Sequence, residues 1–494
     1  MQLPFGEWLP DQPDHLNPGA TVATNVYHAQ SSYKPVKGLV AYSGASNVTQ
    51  NAKGAGSFRD NTNTVFTFVG TKDNIYKLTS GTFASVKGSL SISGSDTDYF
   101  TFTQFGQFVI ASNGVNPPMY YEMGTSTNFA TLQSLATSSG SGTVPAKFKT
   151  SGVIRDFLVT GNIEGAKNRV AWSGINDIST WEAGVSSSDT QDLPGSGGQV
   201  VAITSGEVGY VFREDQIIRM DFVGGNVVFR FSVISPNRGA VYGQTVCQDN
   251  RQVFFYASDG FFQINGDQIL PIGAEKVNRF FDGDLNKAYT DRITAAVDPF
   301  NTLAIWLYPS KDNPNTTGIC DKLLIYNYVT QKWSVAKVKA SQIFKQFIVT
   351  NTVELMDIIS SNLDQINISL DSAFWTTGHL YLGAVDENFK AAIFSGKTLE
   401  AELETKEQEI FPGLRANVTG IRPIVDASAN VTIKTRDKLA DTVTTSTSSS
   451  MNDTGINPVR QSGRYFRANV KIPAESIWTN AQGIDLTASQ GGSR

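Results

Sequence analysis

Cysteine is almost absent from this 494-residue chain, which contains only Cys247 and Cys320. No metal-type cysteine spacing occurs, and a disulfide framework for so long a chain would need many more cysteines. We therefore expect two buried free thiols. Histidine is nearly as scarce, since His15, His28 and His379 are the only three and lie far apart in the sequence. Zinc chemistry has no local motif here, and we expect these histidines at surface or capping positions.

Charge is also sparse. Charged residues make up 17% of the chain, which is low for a soluble protein and is typical of a subunit whose flanks are covered by copies of itself. The formal net charge of -5 argues against a protein that grips nucleic acid through its phosphates. Such an acidic surface favours a passage past which DNA slides without sticking.

Long apolar runs are missing as well. No stretch approaches the roughly 20 residues that are needed to span a bilayer. The first residues, MQLPFGEWLPDQPDHLNPG, contain neither a basic region nor an apolar core, so we expect no secretory signal there. These absences predict a soluble protein that is made in a reducing cytoplasm and does not insert into a lipid membrane.

What the chain does contain is a recurring pair of apolar runs joined by a turn rich in Gly, Asn and Asp. The spacing of most copies is about 45–50 residues, close to the length of a four-stranded propeller blade. The copies are Val65–Val69 with Ile75–Leu78, Phe108–Ala111 with Met119–Glu122, Phe157–Thr160 with Arg169–Ser173, Val208–Phe212 with Ile217–Phe222, Val253–Tyr256 with Phe261–Asn265, Leu303–Tyr308 with Leu323–Tyr328, and His379–Ala384 with Ala391–Ser395.

Seven copies predict an all-β fold with a seven-bladed β-propeller over residues 41–400, although six or eight blades would also fit. Stacked β-sandwiches would give similar strands but no reason for a steady step along the sequence. Residues 1–40 are rich in Pro and Gly and predict an extended N-terminal arm with Phe5 and Trp8 as aromatic anchors. Alternating strands such as Val418–Pro423 and Tyr465–Ile472 predict a C-terminal β-sandwich-like domain over residues 401–494.

Motifs for phosphate or calcium binding are incomplete. The stretch Ser395–Thr398 ends like a phosphate loop, but Ala391 occupies the position of the required first glycine. The oxygen-rich stretch Asp282–Asn286 has Lys287 where a calcium loop needs glycine. Ordinary turns explain both stretches, and we predict no cofactor and no metal ion.

Carbohydrate cleavage or binding is the main alternative function, because propellers often support it and cleavage needs only two carboxylates at the mouth of the fold. Asp259, Asp298 and Asp371 on the blade loops would be the candidates. Carboxylates are also ordinary turn residues, and nothing in the sequence pairs these three. We therefore predict a protein that is not an enzyme and has no catalytic residue.

An acidic segment begins where the repeats end. As a strand, it would present Glu400, Glu402 and Glu404 on one face, which could line an acidic passage or meet a basic partner. As a helix, it would bury Leu399 and Leu403 and leave the acids solvated. The sequence leaves both readings open.

A basic group follows near the C-terminus. Arg460, Arg464 and Arg467 surround Tyr465 and Phe466, a combination that occurs both in nucleic-acid patches and at subunit boundaries. The acidic net charge favours the boundary. The candidate interface or channel residues are therefore Phe5, Trp8, the three glutamates and these three arginines.

Short motifs along nearly the whole chain point to one family. They are FGEWLPD at residues 5–11, NPGA at 17–20, NVY at 25–27, NRVAWS at 168–173 with DISTW at 177–181, SPNRG at 235–239, YASDGFF at 256–262, and GRYFR at 463–467. Together they resemble the tail hub proteins of short-tailed bacteriophages, also called nozzle or packaged-DNA stabilisation proteins. The recurring residues are turn formers and packing aromatics, which indicate architecture.

This resemblance implies a structural protein of the viral tail, located in the virion and assembled in the host bacterial cytoplasm. It implies a ring, usually a homohexamer, that lies below the head-to-tail adaptor and portal proteins. Such a ring closes the DNA channel, retains the packaged DNA and lets it pass during ejection without specific binding. Tail fibre, spike or needle proteins are the further partners that the resemblance implies.

Overall fold

The computed structural model describes residues 1–15, 17–42, 47–225, 227–250, 252–313, 319–347 and 380–492. In this part of the chain the fold is all-β, with two short α-helices, α1 (Leu132–Ser139) and α2 (Asn278–Asp284), and two 3-10 turns, Gly243–Thr245 and Lys287–Arg292. No helix here has the length and apolar character needed to cross a membrane.

The chain begins with five short strands that do not form a sheet of their own. They are β1 (Gln2–Pro4), β2 (Val22–Thr24), β3 (Val26–Ala29), β4 (Ser32–Pro35) and β5 (Val40–Ala41). Each of them pairs with strands from the second half of the chain, or joins a sheet built there.

Five separate four-stranded antiparallel sheets follow in sequence order. Their strands are β6 (Ala55–Arg59), β7 (Val65–Gly70), β8 (Ile75–Thr79) and β9 (Thr82–Ser85); β10 (Thr101–Phe105), β11 (Phe108–Ser112), β12 (Met119–Glu122) and β13 (Ala130–Thr131); β14 (Phe148–Ile154), β15 (Phe157–Ile163), β16 (Ala166–Trp172) and β17 (Asp189–Asp192); β18 (Val200–Ile203), β19 (Val208–Arg213), β20 (Ile217–Phe222) and β21 (Phe229–Ser235); β22 (Cys247–Asp249), β23 (Gln252–Ala257), β24 (Gly260–Asn265) and β25 (Gln268–Pro271). The first five predicted strand pairs are the two central strands of these sheets.

The next strands are β26 (Thr294–Asp298), β27 (Leu303–Tyr308), β28 (Cys320–Asn327), β29 (Lys332–Phe347), β30 (Leu380–Asp386) and β31 (Ala391–Ile393). Strand β29 is 16 residues long. Its first part pairs with β28, and its second part pairs with β30. Strand β31 pairs in turn with β5 from the N-terminal region. The sixth predicted pair, Leu303–Tyr308 with Leu323–Tyr328, thus corresponds to β27 and β28. His379 of the last predicted pair lies outside the described residues.

The remaining strands are β32 (Ala401–Glu404), β33 (Gln408–Glu409), β34 (Ala416–Val425), β35 (Asn430–Arg436), β36 (Thr444–Thr445), β37 (Ser449–Ser450), β38 (Asn457–Gly463), β39 (Tyr465–Ile472) and β40 (Ala481–Gln490). One sheet has the order β3-β4-β40-β34-β38, with β1 on β40. The other runs without a break from β26–β29 through β2 to β32, β39 and β35. These two sheets share one large apolar core that includes Phe5 and Trp8.

Inner strands of successive sheets are tied side by side. The ties form a closed circle of hydrogen bonds through the five separate sheets and β29: Gln104 Nε2 to Arg59 O at 2.6 Å, Thr103 Oγ1 to Ser151 Oγ at 2.9 Å, Val153 N to Ser205 Oγ at 2.9 Å, Gln248 Nε2 to Ser205 O at 2.6 Å, Lys345 Nζ to Gln248 O at 2.6 Å, and Phe347 N to Ser57 Oγ at 3.2 Å. Four-stranded sheets arranged radially around such a circle are blades of a β-propeller.

Apolar side chains fill the space between neighbouring sheets. One cluster lies between the first two sheets and includes Phe68 and Tyr121, and another joins the third and fourth sheets and includes Phe157 and Met220. These strands are rich in aromatic and β-branched residues because a strand inside a propeller is covered on both faces. The tight β23–β24 turn needs Gly260 at φ +129°, where an added Cβ would lie 2.0 Å from Asn278.

Candidate functional site

The N-terminal strand β2 lies at the joint between the propeller sheet and the C-terminal strands. It is parallel to β29 through Thr24 and Val335, and antiparallel to β32. The residue that follows it, Asn25, has φ +60° and is 9% exposed. Residues 1–40, predicted as an extended arm, therefore place strands in both C-terminal sheets.

Asn25 makes hydrogen bonds to both sides of this joint. Its Nδ2 donates to the Glu400 carbonyl at 2.7 Å, and its Oδ1 accepts from the Lys337 amide at 2.7 Å. Its own amide donates to the Val335 carbonyl at 2.8 Å. The side chain thus connects the start of β32 to β29, which fixes the C-terminal strands to the propeller.

The acidic segment is a strand, so the helical alternative is wrong. Glu402 and Glu404 lie on β32. The side-chain Nδ2 of Asn469 donates to the Glu402 carboxylate at 2.8 Å and to the Glu404 carboxylate at 3.1 Å. Glu400, just before the strand, is exposed, and Glu402 is half-buried. The side chain of Glu404 is only 1% exposed, so its charge faces the inside of this chain.

Glu404 belongs to a buried ion cluster with Glu407, Lys434, Arg436 and Arg467. Lys434 donates a short hydrogen bond to Glu404, and Arg467 Nη1 lies 3.5 Å from the same carboxylate. Arg436 forms a two-pronged contact with Glu407, whose side chain is 2% exposed. Each carboxylate is thus compensated by cations on β35 and β39.

The three predicted arginines differ in their contacts and in their exposure. Arg467 also binds Asp14 of the N-terminal segment at 2.9 Å, so the acids it meets are in its own chain. Arg460 on β38 is exposed, and Arg464 is half-buried between β38 and β39. Arg460 and Glu400 are therefore the most accessible charges of the predicted set.

The aromatic anchors are buried in this chain. Phe5 is 5% exposed, and its amide donates to the Gln482 carbonyl at 2.8 Å. Trp8 is 3% exposed and meets Phe280 edge-on at a ring distance of 5.0 Å. Neither ring is accessible to a partner; both fasten the N-terminal segment to the core.

The cysteine prediction is confirmed, since Cys247 and Cys320 are both free and buried. Burial raises the pKa of the Cys247 thiol to about 12, so it stays protonated at neutral pH. Within the described ranges, no group of three or more His, Cys, Asp or Glu residues is placed to hold a metal ion.

The carboxylates considered for sugar chemistry have separate structural contacts. Asp259 forms an ion pair with Arg238 at 2.6 Å. Asp298 accepts from the amides of Phe300 and Asn301 in its own turn, and burial raises its pKa. Asp371 lies outside the described residues. Turn capping accounts for Asp298, as it does for many such carboxylates.

His28 is buried, whereas the sequence predicts a surface or capping position for it. It is 3% exposed on β3, and its Nε2 lies 3.1 Å from Lys332 Nζ. Burial, with a smaller contribution from Lys332, lowers its pKa to about 4.

A pH prediction follows from His28. Below its unfolded pKa near 6.5, the unfolded chain takes up a proton that the folded chain does not bind until about pH 4. We therefore expect stability to be lost as the pH falls through this window. Thermal unfolding from pH 7 to pH 4 should show a steeper fall in Tm for the wild type than for His28→Gln. Parallel curves would contradict this assignment.

The comparisons give weak similarities to solved structures, among them a WD40 domain and a β-propeller domain. No protein-family model matches the sequence. No curated protein matches it either. Similar solved structures include the WD40 domain of Neurospora crassa Pan2 (8% identity, 66% of this chain and 91% of that one, TM-score 0.36) and the β-propeller domain of Myceliophteria thermophila Cps50 (Swd1) (10%, 76% and 99%, TM-score 0.37). A chain from a mitotic checkpoint complex has 10% identity over 74% of this chain and 93% of that one, with a TM-score of 0.38. At such scores, the propeller architecture rests on the strand pairing and on the hydrogen bonds between the inner strands.

Proposed function

We propose that this protein is a structural subunit of a short-tailed bacteriophage tail, and that copies of it form a ring, most simply a hexamer, below the portal and adaptor. The ring closes the DNA channel, retains the packaged genome and passes it during ejection. In this proposal the four-stranded units make seven blades, of which the sixth is β26–β29 and the seventh is β29–β31 closed by β5. Residues 401–494, together with β1–β4, form the C-terminal β-domain.

Rigidity supports a scaffold role. The circle of inter-sheet hydrogen bonds joins the five separate sheets to β29, and the sheet that continues through β2 joins the propeller to β32. A subunit held in this way can transmit load around a ring without bending at a linker. One of the motifs that resemble the hub family, NVY, begins with Asn25 at this joint.

The observation that carries the proposal is the outer edge of the fourth sheet. Strand β21 is seven residues long, FRFSVIS, and its outer edge has no partner strand within the described ranges. Arg230 is its only charged residue, and Val233 is 49% exposed. A long apolar edge strand invites pairing with another chain unless a partner covers it.

The outer edges of the other separate sheets are blunted. Strand β17 is DTQD and fully exposed, β25 ends in Pro271, β9 has four residues and β13 has two. Charge, proline and shortness are the usual protections of an edge strand. Among the outer strands of these five sheets, only β21 is longer than four residues, has no proline and carries a single charge, so we assign it to the contact between copies of the chain.

Val233→Lys tests this assignment. A lysine on the edge should block strand pairing, so we expect wild-type rings in native mass spectrometry and negative-stain images, and monomers of unchanged Tm for the variant. Thr190→Lys, on the exposed edge β17 of the neighbouring sheet, is the matched control and should leave the ring intact.

A wild type that stays monomeric even with portal and adaptor proteins would contradict the proposed function. A ring that survives Val233→Lys would remove β21 from the interface and leave the ring itself in place. Binding on a panel of host glycans, lost on replacing Asp259 or Asp298, would instead favour the carbohydrate-binding alternative.

A further inference from the structure

A cleft of about 350 Å³ opens between the sheet of β27 and β28 and the strands β30 and β31. Its size lies within the range of small-molecule sites, roughly 300–1,000 Å³. One wall is apolar and is formed by Val36, Leu303, Ile305, Leu323, Ile325 and Phe394, while polar side chains such as Tyr27, Asn301 and Tyr381 line the rest. Apolar side chains elsewhere in this fold are closely packed, so an open cleft with an apolar wall needs an explanation.

One polar group inside the cleft is unpaired. Ser395 lines the cleft and is 4% exposed, and its buried Oγ has no hydrogen-bond partner among the residues described. Buried hydroxyls in folded proteins are nearly always paired, so an orphan one that lines a cavity marks a position for a ligand oxygen.

Positive charge lies at the rim of the same cleft. Lys34 and Lys37 line it, with Lys37 exposed. Residue Gly38 exchanges backbone hydrogen bonds with Gly396 and Lys397, at 3.1 and 2.8 Å, which brings Lys37 and Ser395 onto neighbouring segments. The one acid at the rim, Asp298, is already bound by Asn301 Nδ2 at 2.7 Å and by two backbone amides.

We propose that this cleft binds a small organic anion with an apolar body. The carboxylate accepts hydrogen bonds from Ser395 and from the ammonium groups of Lys37 and Lys34, and the hydrocarbon part lies against Ile305, Leu323 and Ile325. Phe300, 59% exposed at the mouth, covers the part of the ligand nearest to solvent. This site is separate from β21 and does not depend on ring formation.

Decanoate and decanol separate the charge from the apolar body. We expect decanoate to displace the fluorescent probe 1-anilinonaphthalene-8-sulfonate from the purified full chain, and decanol to do so more weakly. The double variant Lys34→Gln/Lys37→Gln should weaken decanoate about tenfold and leave decanol unchanged, because only the carboxylate meets the lysines. Ser395→Ala should weaken decanoate several-fold.

Two further variants complete the test. Lys438→Gln removes an exposed lysine in the C-terminal region and should change neither ligand. Ile325→Trp fills the cleft and should abolish both, and Ile325→Met, which conserves volume, guards against a folding defect. The proposal is overturned if neither ligand binds, or if the double lysine variant weakens decanoate and decanol equally or not at all.

Discussion

Replacing Glu404 by alanine is expected to lower the free energy of unfolding by about 3–5 kcal/mol, the usual cost of removing one partner from a buried ion pair. The substitution leaves Lys434 without its carboxylate and removes one of the three carboxylates near Arg467, whose side chain is only 10% exposed. It also removes the acceptor of the Thr21 hydroxyl, 2.9 Å away on the N-terminal segment. Urea unfolding monitored by tryptophan fluorescence measures the change.

Glu400→Ala is the matched control for that experiment. Glu400 belongs to the same acidic segment, but it is exposed, so its loss should change stability by no more than about 0.5 kcal/mol. Equal effects of the two substitutions would show that the buried ion cluster does not stabilise the fold. A double-mutant cycle with Lys434→Met would then isolate the pair itself, since methionine keeps the volume and removes the charge.

The central strands of the sheets could be predicted from sequence because they are apolar on both faces and joined by short turns. Val253–Tyr256 and Phe261–Asn265, for example, are found as β23 and β24, with one further residue at each end of β23 and one at the start of β24. The outer strands could not be predicted in this way. Strand β17, DTQD, has no apolar residue, and it forms a strand only because β16 offers it a free edge.

The pairing of the N-terminal strands with distant strands also could not be predicted from the sequence. Strands β1 and β2 are three residues each, too short for any periodicity, and their partners β40 and β32 lie hundreds of residues away. Pairing of this kind depends on tertiary contact and not on local propensity. The Pro- and Gly-rich composition therefore predicted only an extended segment.

The sequence predicted the charged residues of the candidate site but not the residues that they contact. The acids at 400–404 and the arginines at 460–467 are prominent in the sequence, and the structure brings Glu404 and Arg467 together. Nothing in the sequence indicates that this contact lies inside one chain. Glu407 belongs to the same acidic segment in the sequence, whereas Arg436 was missed, although its alternation with apolar residues on β35 gave a weak signal.

Asn25→Ala should be the second most damaging substitution considered, with an expected loss of about 2–4 kcal/mol. It leaves the Lys337 amide and the Glu400 carbonyl unpaired at the joint, and it forces alanine into a left-handed backbone conformation at φ +60°. Asn25→Gly relieves the backbone strain but does not restore the side-chain hydrogen bonds, so it should recover only about 1 kcal/mol.

Asn63→Ala is the matched control, because Asn63 has φ +64° in an exposed turn. This substitution should cost only about 1 kcal/mol from strain. If Asn25→Ala and Asn63→Ala cost the same, the side chain of Asn25 does not hold the propeller to the C-terminal strands, and β2 alone must account for the rigidity on which a tail ring would depend.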